Sequence, residues 1–160
     1  VKGGKLGDAR RFMLDELKKR GVYATGNTST TITLTADKKL SGEAYEMVVT
    51  DGKVLIAAGS EQGCMNGVKT LISALDHSKA NRLENAVVKD CPDFGYRGFM
   101  LDVSRNFTTF ENMKRVIDLL AYYKLNVLHF HFCDDEAWRV EIPGLPELTE
   151  VASRRGCTFD

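Results

Sequence analysis

The chain has no excess of either charge: 22 lysines and arginines stand against 22 aspartates and glutamates. Nucleic acids and membrane surfaces are usually met by a basic excess, so the balance argues against both as partners. No run of ~18 uninterrupted apolar residues occurs, which excludes a transmembrane helix. Cysteine is sparse. Cys64, Cys91, Cys133 and Cys157 are too few for a disulfide scaffold and too widely spaced for a zinc or redox motif. They read as buried small hydrophobes and leave the compartment open, periplasm and secretion included. Tryptophan occurs once, at Trp138, and internal repeats and low-complexity tracts are absent. No apolar stretch follows the lysines of Val1-Lys2-Gly3-Gly4-Lys5, so that segment is not a signal peptide. Without an initiator Met, and with Thr158-Phe159-Asp160 as its end, the chain is expected to be a piece of something longer.

What remains is the mix of an ordinary globular protein, 43% hydrophobic and 28% charged over 160 residues. Asp8 is the expected N-cap of a helix carrying Ala9, Phe12, Met13 and Leu17 on one face, with Lys18, Lys19 and Arg20 at its negative end and Gly21 as its stop. Thr30 to Thr35 alternates as a half-buried strand. Two further runs, 44–50 and 53–58, flank Asp51-Gly52, a strong hairpin signal because both turn residues need positive φ. Gly59-Ser60 opens a second helix whose Cys64, Met65, Val68, Leu71, Ile72 and Leu75 share a face. A short strand over 85–89 runs into Asp90-Cys91-Pro92-Asp93, where proline breaks the pattern and a domain boundary is expected.

Beyond that boundary the pattern changes. A strand over 97–103 is followed by Thr108 and Glu111, spaced as a capping box. The helix after them is expected to bury Met113, Val116, Ile117, Leu120 and Ala121, and Lys124 closes it. A second strand follows over 126–132. Strand, helix, strand makes a βαβ unit, whose strands must be parallel. Parallel strands share one C-terminal edge, where ligands bind in open sheets and barrels alike. Ser104 and Arg105 arrive there from the first strand; Asp134, Asp135 and Glu136 arrive from the second.

Two readings of this cluster stand side by side. In one, Arg105 pairs with Asp134 or Asp135 and merely holds two turns together. In the other the cluster is a polyol site, arginine donating its fork of hydrogen bonds and aspartate accepting hydroxyl protons. Asp134 and Asp135, as neighbours on an extended segment, point apart and have different jobs. His129 and His131 share a strand face but lack a third ligand, so satisfied core histidines are expected rather than a metal site. His77 reads as a surface residue at a helix C-terminus. Trp138 reads as a packing anchor, and 147–155 as solvated surface.

The stretch Tyr96-Arg97-Gly98-Phe99-Met100-Leu101-Asp102-Val103-Ser104-Arg105 resembles the start of the barrel in family 20 glycoside hydrolases, the β-N-acetylhexosaminidases. So do Tyr123-Lys124-Leu125-Asn126, the run from His129 to Arg139, and the run from Glu141 to Glu150. The first ~90 residues are similar, more loosely, to the small α+β domain that precedes that barrel. The resemblance implies an α+β accessory domain over 1–93 and, over 94–160, the first βαβ portion of a (β/α)8 TIM barrel. It implies removal of terminal N-acetylhexosamine from a glycan or glycoconjugate, with retention and with the substrate's own acetamido oxygen attacking. Arg105 matches the arginine that hydrogen-bonds hydroxyls of the terminal sugar. Asp134 matches the aspartate that, through a histidine, supports the general-acid glutamate. No cofactor or metal is implied. Oligomeric state, natural glycan and gluco or galacto preference are not readable.

Three departures accompany the match. The family often has histidine where Asn106 stands and Gln-Gly where Glu136-Ala137 stand. Its adjacent catalytic Asp-Glu pair, in a His-x-Gly-Gly-Asp-Glu motif further along, does not occur in this sequence. Asp135-Glu136 is not that pair, because no Gly-Gly precedes it. The competing expectations are a related sugar hydrolase with the same two-domain plan and a non-catalytic glycan-binding module. An O-GlcNAcase-like enzyme would carry Arg-Gly-x-x-Glu-Gly-Phe-Tyr-Gly, which the residues from Arg97 to Asp102 do not match.

Overall fold

The computed structural model describes residues 6–23 and 30–154. The opening pentapeptide, Arg155 and Cys157 lie outside the described residues. Two compact units divide the chain, Val1–Gly95 and Tyr96–Asp160.

In the first unit, helix α1 (Gly7–Lys19) buries Ala9, Met13 and Leu17. Its start corrects an expectation: Leu6, itself buried, occupies the N-cap position, and Asp8 lies inside the first turn, bonded to Arg11. The orphan donor is satisfied from elsewhere, since the Ala9 N–H donates to Glu61 Oε1 at 2.7 Å. At the other end the Gly21 N–H bonds Lys18 O at 3.0 Å and the Val22 N–H bonds Leu17 O at 2.9 Å, closing the helix in a Schellman motif. Arg20 adds a forked contact to Asp76 at 2.6 and 2.8 Å.

Strands β1 (Thr31–Ala36), β2 (Tyr45–Thr50), β3 (Lys53–Ala58) and β4 (Ala86–Asp90) form one sheet in the order β1-β3-β2-β4. The β2–β3 hairpin turns on Asp51 and Gly52 at φ 35° and 80°, the positive pair that the Asp-Gly signal requires. Alternate residues Tyr45, Met47, Val49, Val54, Ile56 and Ala58 face the core. Helix α2 (Glu61–Asp76) is capped by Ser60, whose Oγ accepts from the Gly63 N–H at 3.1 Å. It packs on the sheet through Cys64, Val68, Leu71, Ile72 and Leu75, while Met65 is only half-buried. Gly67 permits the close approach: a Cβ there would stand 2.6 Å from Ile56 Cγ2 and 3.0 Å from the Tyr45 ring. His77 caps α2 as an exposed residue, its Nδ1 2.8 Å from Ser73 O.

The second unit carries the expected βαβ unit. Strand β5 (Gly98–Asp102), helix α3 (Phe110–Tyr122) and strand β6 (Val127–His131) follow in order, and β5 pairs with β6 in parallel from Gly98↔Val127 to Asp102↔His131. The helix starts one residue later than the capping-box spacing suggests. Thr109 is the N-cap, accepting from the Asn112 N–H at 3.2 Å, and Glu111 pairs with Lys114 instead. None of its side chains is buried: Met113, Val116, Leu120 and Ala121 are half-buried and Ile117 is 49% exposed. Two strands make too narrow a floor to cover the apolar stripe. Lys124 ends α3 at φ 60°, with the Leu125 N–H bonded to Leu120 O at 2.9 Å.

Two short strands, β7 (Cys133–Asp134) and β8 (Ala137–Trp138), then form a tight antiparallel pair, followed by helix α4 (Glu147–Glu150). Trp138 is half-buried, its indole N–H donating to Val140 O and its backbone N–H to Ala152 O at 2.8 Å. The cysteine expectation holds for Cys64 alone among the described three, since Cys91 and Cys133 are exposed at strand ends.

Candidate functional site

Parallel pairing of β5 and β6 sends both chains off the sheet at one edge, and the polar cluster gathers there. Arg105 Nε lies 2.5 Å from Asp102 Oδ2 and 3.4 Å from Asp134 Oδ2. His131 Nε2 lies 3.0 Å from the same Asp134 oxygen, and Asp134 Oδ1 accepts the Asp135 N–H at 2.8 Å. A carboxylate only accepts, so His131 must hold its proton on Nε2 in this contact. The expected meeting of Arg105 and Asp134 is therefore present. The nearer partner of Arg105 is Asp102.

Asp102 does more than pair. Its Oδ1 accepts the backbone N–H groups of Ser104 and Arg105, each at 3.0 Å, while Oδ2 takes the guanidinium. The Arg105 backbone N–H is the main reason its carboxyl is held below the ordinary aspartate range, with the guanidinium adding to it. Arg105 is in turn raised, first by its bond to Asp102 and then by the charges of Asp134 and Glu136. Asp134 is lowered, first by the Asp135 N–H and then by His131 and Arg105. Asp102, Arg105 and Asp134 are thus each held in the charged form by their neighbours.

The base of the site is the best-packed part of the second unit. Among its described residues only Val103, Ser104 and Ala137 are buried. Ser104 Oγ donates to Ala137 O at 2.6 Å, tying the segment after β5 to β8. Arg139 completes the tie, donating from Nε to Val103 O at 3.0 Å, from Nη1 to Ser153 O at 2.6 Å and from Nη2 to Ser104 O at 3.3 Å. Its guanidinium also lies 5.4 Å from the Phe107 ring centre. A rigid base under a half-exposed guanidinium is what recognition of neutral hydroxyls needs, because the donor is aimed before the ligand arrives.

The structure corrects the histidines. His129 is exposed and His131 only half-buried, so neither lies in the core, although His131 is satisfied through its bond to Asp134. Sequence reasoning also missed Asp102 and Arg139 as parts of the site. The signal for Asp102 was present as a charge breaking an otherwise apolar strand; Arg139 acts through carbonyls and leaves no local pattern.

Comparison with known proteins gives a consistent result over both units. The description "Glycosyl hydrolase family 20, domain 2" matches residues 1–91, and "Glycosyl hydrolase family 20, catalytic domain" matches residues 94–159. An N,N'-diacetylchitobiase of Vibrio harveyi is 39% identical over 92% of this chain, and a beta-hexosaminidase of Vibrio furnissii is 40% identical over 80% of it. The crystal structure of a family 20 exo-beta-N-acetylglucosaminidase from Vibrio harveyi, in complex with N-acetylglucosamine, superposes with a TM-score of 0.83 at 36% identity over 94% of this chain. An N-acetyl-beta-hexosaminidase of Streptomyces plicatus gives a TM-score of 0.76 at 28% identity over 94% of this chain. The chain spans only 17% and 21% of the two curated relatives and 24% and 33% of the two solved chains.

Proposed function

The chain belongs to glycosyl hydrolase family 20, and on that premise we propose that it forms part of a β-N-acetylhexosaminidase acting on glycans or glycoconjugates that end in N-acetylhexosamine. Residues 1–93 serve as the α+β accessory domain and 94–160 as the opening of the (β/α)8 catalytic barrel. The observation that carries the reading is the juxtaposition of Arg105 and Asp134, 3.4 Å apart at the C-terminal edge of parallel strands, where barrel enzymes bind substrate.

In this reading Arg105 donates hydrogen bonds to hydroxyls of the terminal sugar and fixes the ring. The substrate's acetamido oxygen then attacks the anomeric carbon as the glycosidic bond breaks, and water opens the resulting cyclic oxazolinium ion from the face the leaving group vacated, so two inversions retain configuration without a protein nucleophile. A general-acid glutamate protonates the leaving oxygen, and Asp134 supports that acid through a histidine. Neither the acid nor its neighbouring aspartate is in this sequence, which has no Gly-Gly-Asp-Glu motif. No metal or cofactor enters the scheme.

Two assays test it. The full-length protein should release chromophore from an aryl N-acetyl-β-glucosaminide and yield the β-anomer first by NMR, while the 160-residue chain alone should not turn over. Inversion, or robust turnover by the chain alone, would refute the assignment.

A further inference from the structure

We propose that Asp102 is a positioning residue that aims Arg105 at the sugar. The proposal rests on the reading of Arg105 above and adds a residue to its machinery. Asp102 sits at the last position of β5, and its carboxylate reaches both halves of the arginine three residues on. Oδ1 accepts the Ser104 and Arg105 backbone N–H groups at 3.0 Å each, and Oδ2 holds Nε at 2.5 Å. Main chain and guanidinium are thereby tied to one rigid group.

The two oxygens have separable jobs. A turn that needed only its amides satisfied would be served by asparagine, serine or threonine at this position. Only a carboxylate can satisfy the amides with one oxygen and accept a charged Nε–H with the other. Arginine is long and rotamer-rich, and an unheld guanidinium would have to be ordered by the sugar itself. With side-chain exposures of 46% for Arg105 and 18% for Asp102, the arginine is the more open of the two and its anchor the more sheltered. The Arg105 backbone N–H and guanidinium lower the Asp102 carboxyl and so favour the charged form of the anchor.

The experiment is a double-mutant cycle in the full-length enzyme with Asp102→Asn, Arg105→Ala and the double variant. Asparagine keeps an Oδ1 for the two amides but puts an NH2 group against Nε. kcat/KM on an aryl N-acetyl-β-glucosaminide should fall about 10- to 100-fold in Asp102→Asn. In the Arg105→Ala background the same change should cost less than about 2-fold, because the residue acts through the arginine. Equal losses in both backgrounds would overturn the proposal, as would a fully active Asp102→Asn. A wild-type kcat/KM for Arg105→Ala would instead remove the sugar-contact reading, and the proposal with it.

A second readout does not depend on how much of the variant folds. The ratio of kcat/KM for the parent substrate to that for its 3-, 4- or 6-deoxy analogue is internal to each enzyme. Wild type should discriminate against at least one analogue by about 10-fold or more, and Asp102→Asn should shrink that ratio at least about 3-fold. An unchanged ratio would mean that Asp102 merely caps a turn.

Discussion

Replacing Arg139 with alanine probes the base on which the site stands. The side chain donates to Val103 O, Ser104 O and Ser153 O at 3.0, 3.3 and 2.6 Å. A bond from a charged donor contributes roughly 1.5–3 kcal/mol, but these carbonyls are part-buried and the 3.3 Å contact is long. Water can replace some of what is lost, so the sum is about 2–3 kcal/mol rather than three times the upper value. Because two of the acceptors immediately precede Arg105, the loss falls on the segment that carries it. Amide hydrogen exchange followed by mass spectrometry on a peptide covering 103–107 of the full-length protein reads this locally. An opening easier by 2–3 kcal/mol raises exchange about 30- to 150-fold. Arg139→Lys keeps the charge but cannot span three carbonyls with one ammonium, and should lie between the two. If exchange at 103–107 and kcat/KM both stay within about 2-fold of wild type in Arg139→Ala, the stitched-base account is wrong.

Other consequences are as direct. Lys124 ends α3 at φ 60°, where glycine carries no Cβ penalty. Lys124→Gly should therefore stabilise by about 0.5 kcal/mol and Lys124→Val should destabilise by more than ~1 kcal/mol, both measurable by denaturant titration. Burial pushes the Cys64 thiol up to about 12, whereas Cys91 and Cys133 are exposed. Ellman's reagent at pH ~8 should label the latter two quickly and Cys64 only after unfolding; rapid labelling of Cys64 in the native state would contradict the packing of α2. Asp102 and Asp134 both have carboxyls lowered in the folded state. Their contribution is fully present above the unfolded value near ~3.9 and disappears as pH falls through the lower folded values. Exchange at 102–106, corrected for intrinsic rates, should show no carboxylate-linked loosening between pH ~5 and ~8 and a rise below ~4. A loosening that begins at pH ~6 would contradict it.

Much of this was legible where one local signal had one meaning. Asp51-Gly52 announced its hairpin because few dipeptides accept two positive φ values. The βαβ unit followed from the order of apolar periodicities, and parallel strands then had to bring Arg105 and Asp134 to one edge. Illegible features depended on a choice between near-equal local options or on a distant partner. Thr108 and Thr109 are adjacent capping residues, and the Glu111 spacing favoured the wrong one. Glu61 caps α1 from another helix, which no pattern around Asp8 reveals. Asp102 is a lone charge at the end of an apolar strand, and its partners Ser104 and Arg105 lie beyond that end, where the strand pattern carries no signal. The α3 stripe has the right period for burial, yet periodicity says nothing about how wide a floor lies beneath it.

Arg105 gripping the terminal sugar is the contact on which the proposed activity turns. The direct measurement is kcat/KM of the full-length protein and of its Arg105→Ala variant on an aryl N-acetyl-β-glucosaminide. Loss of charged hydrogen bonds to sugar hydroxyls should cost about 3 kcal/mol or more, a fall of roughly 100-fold or greater. An Arg105→Ala enzyme that keeps the wild-type kcat/KM would contradict it.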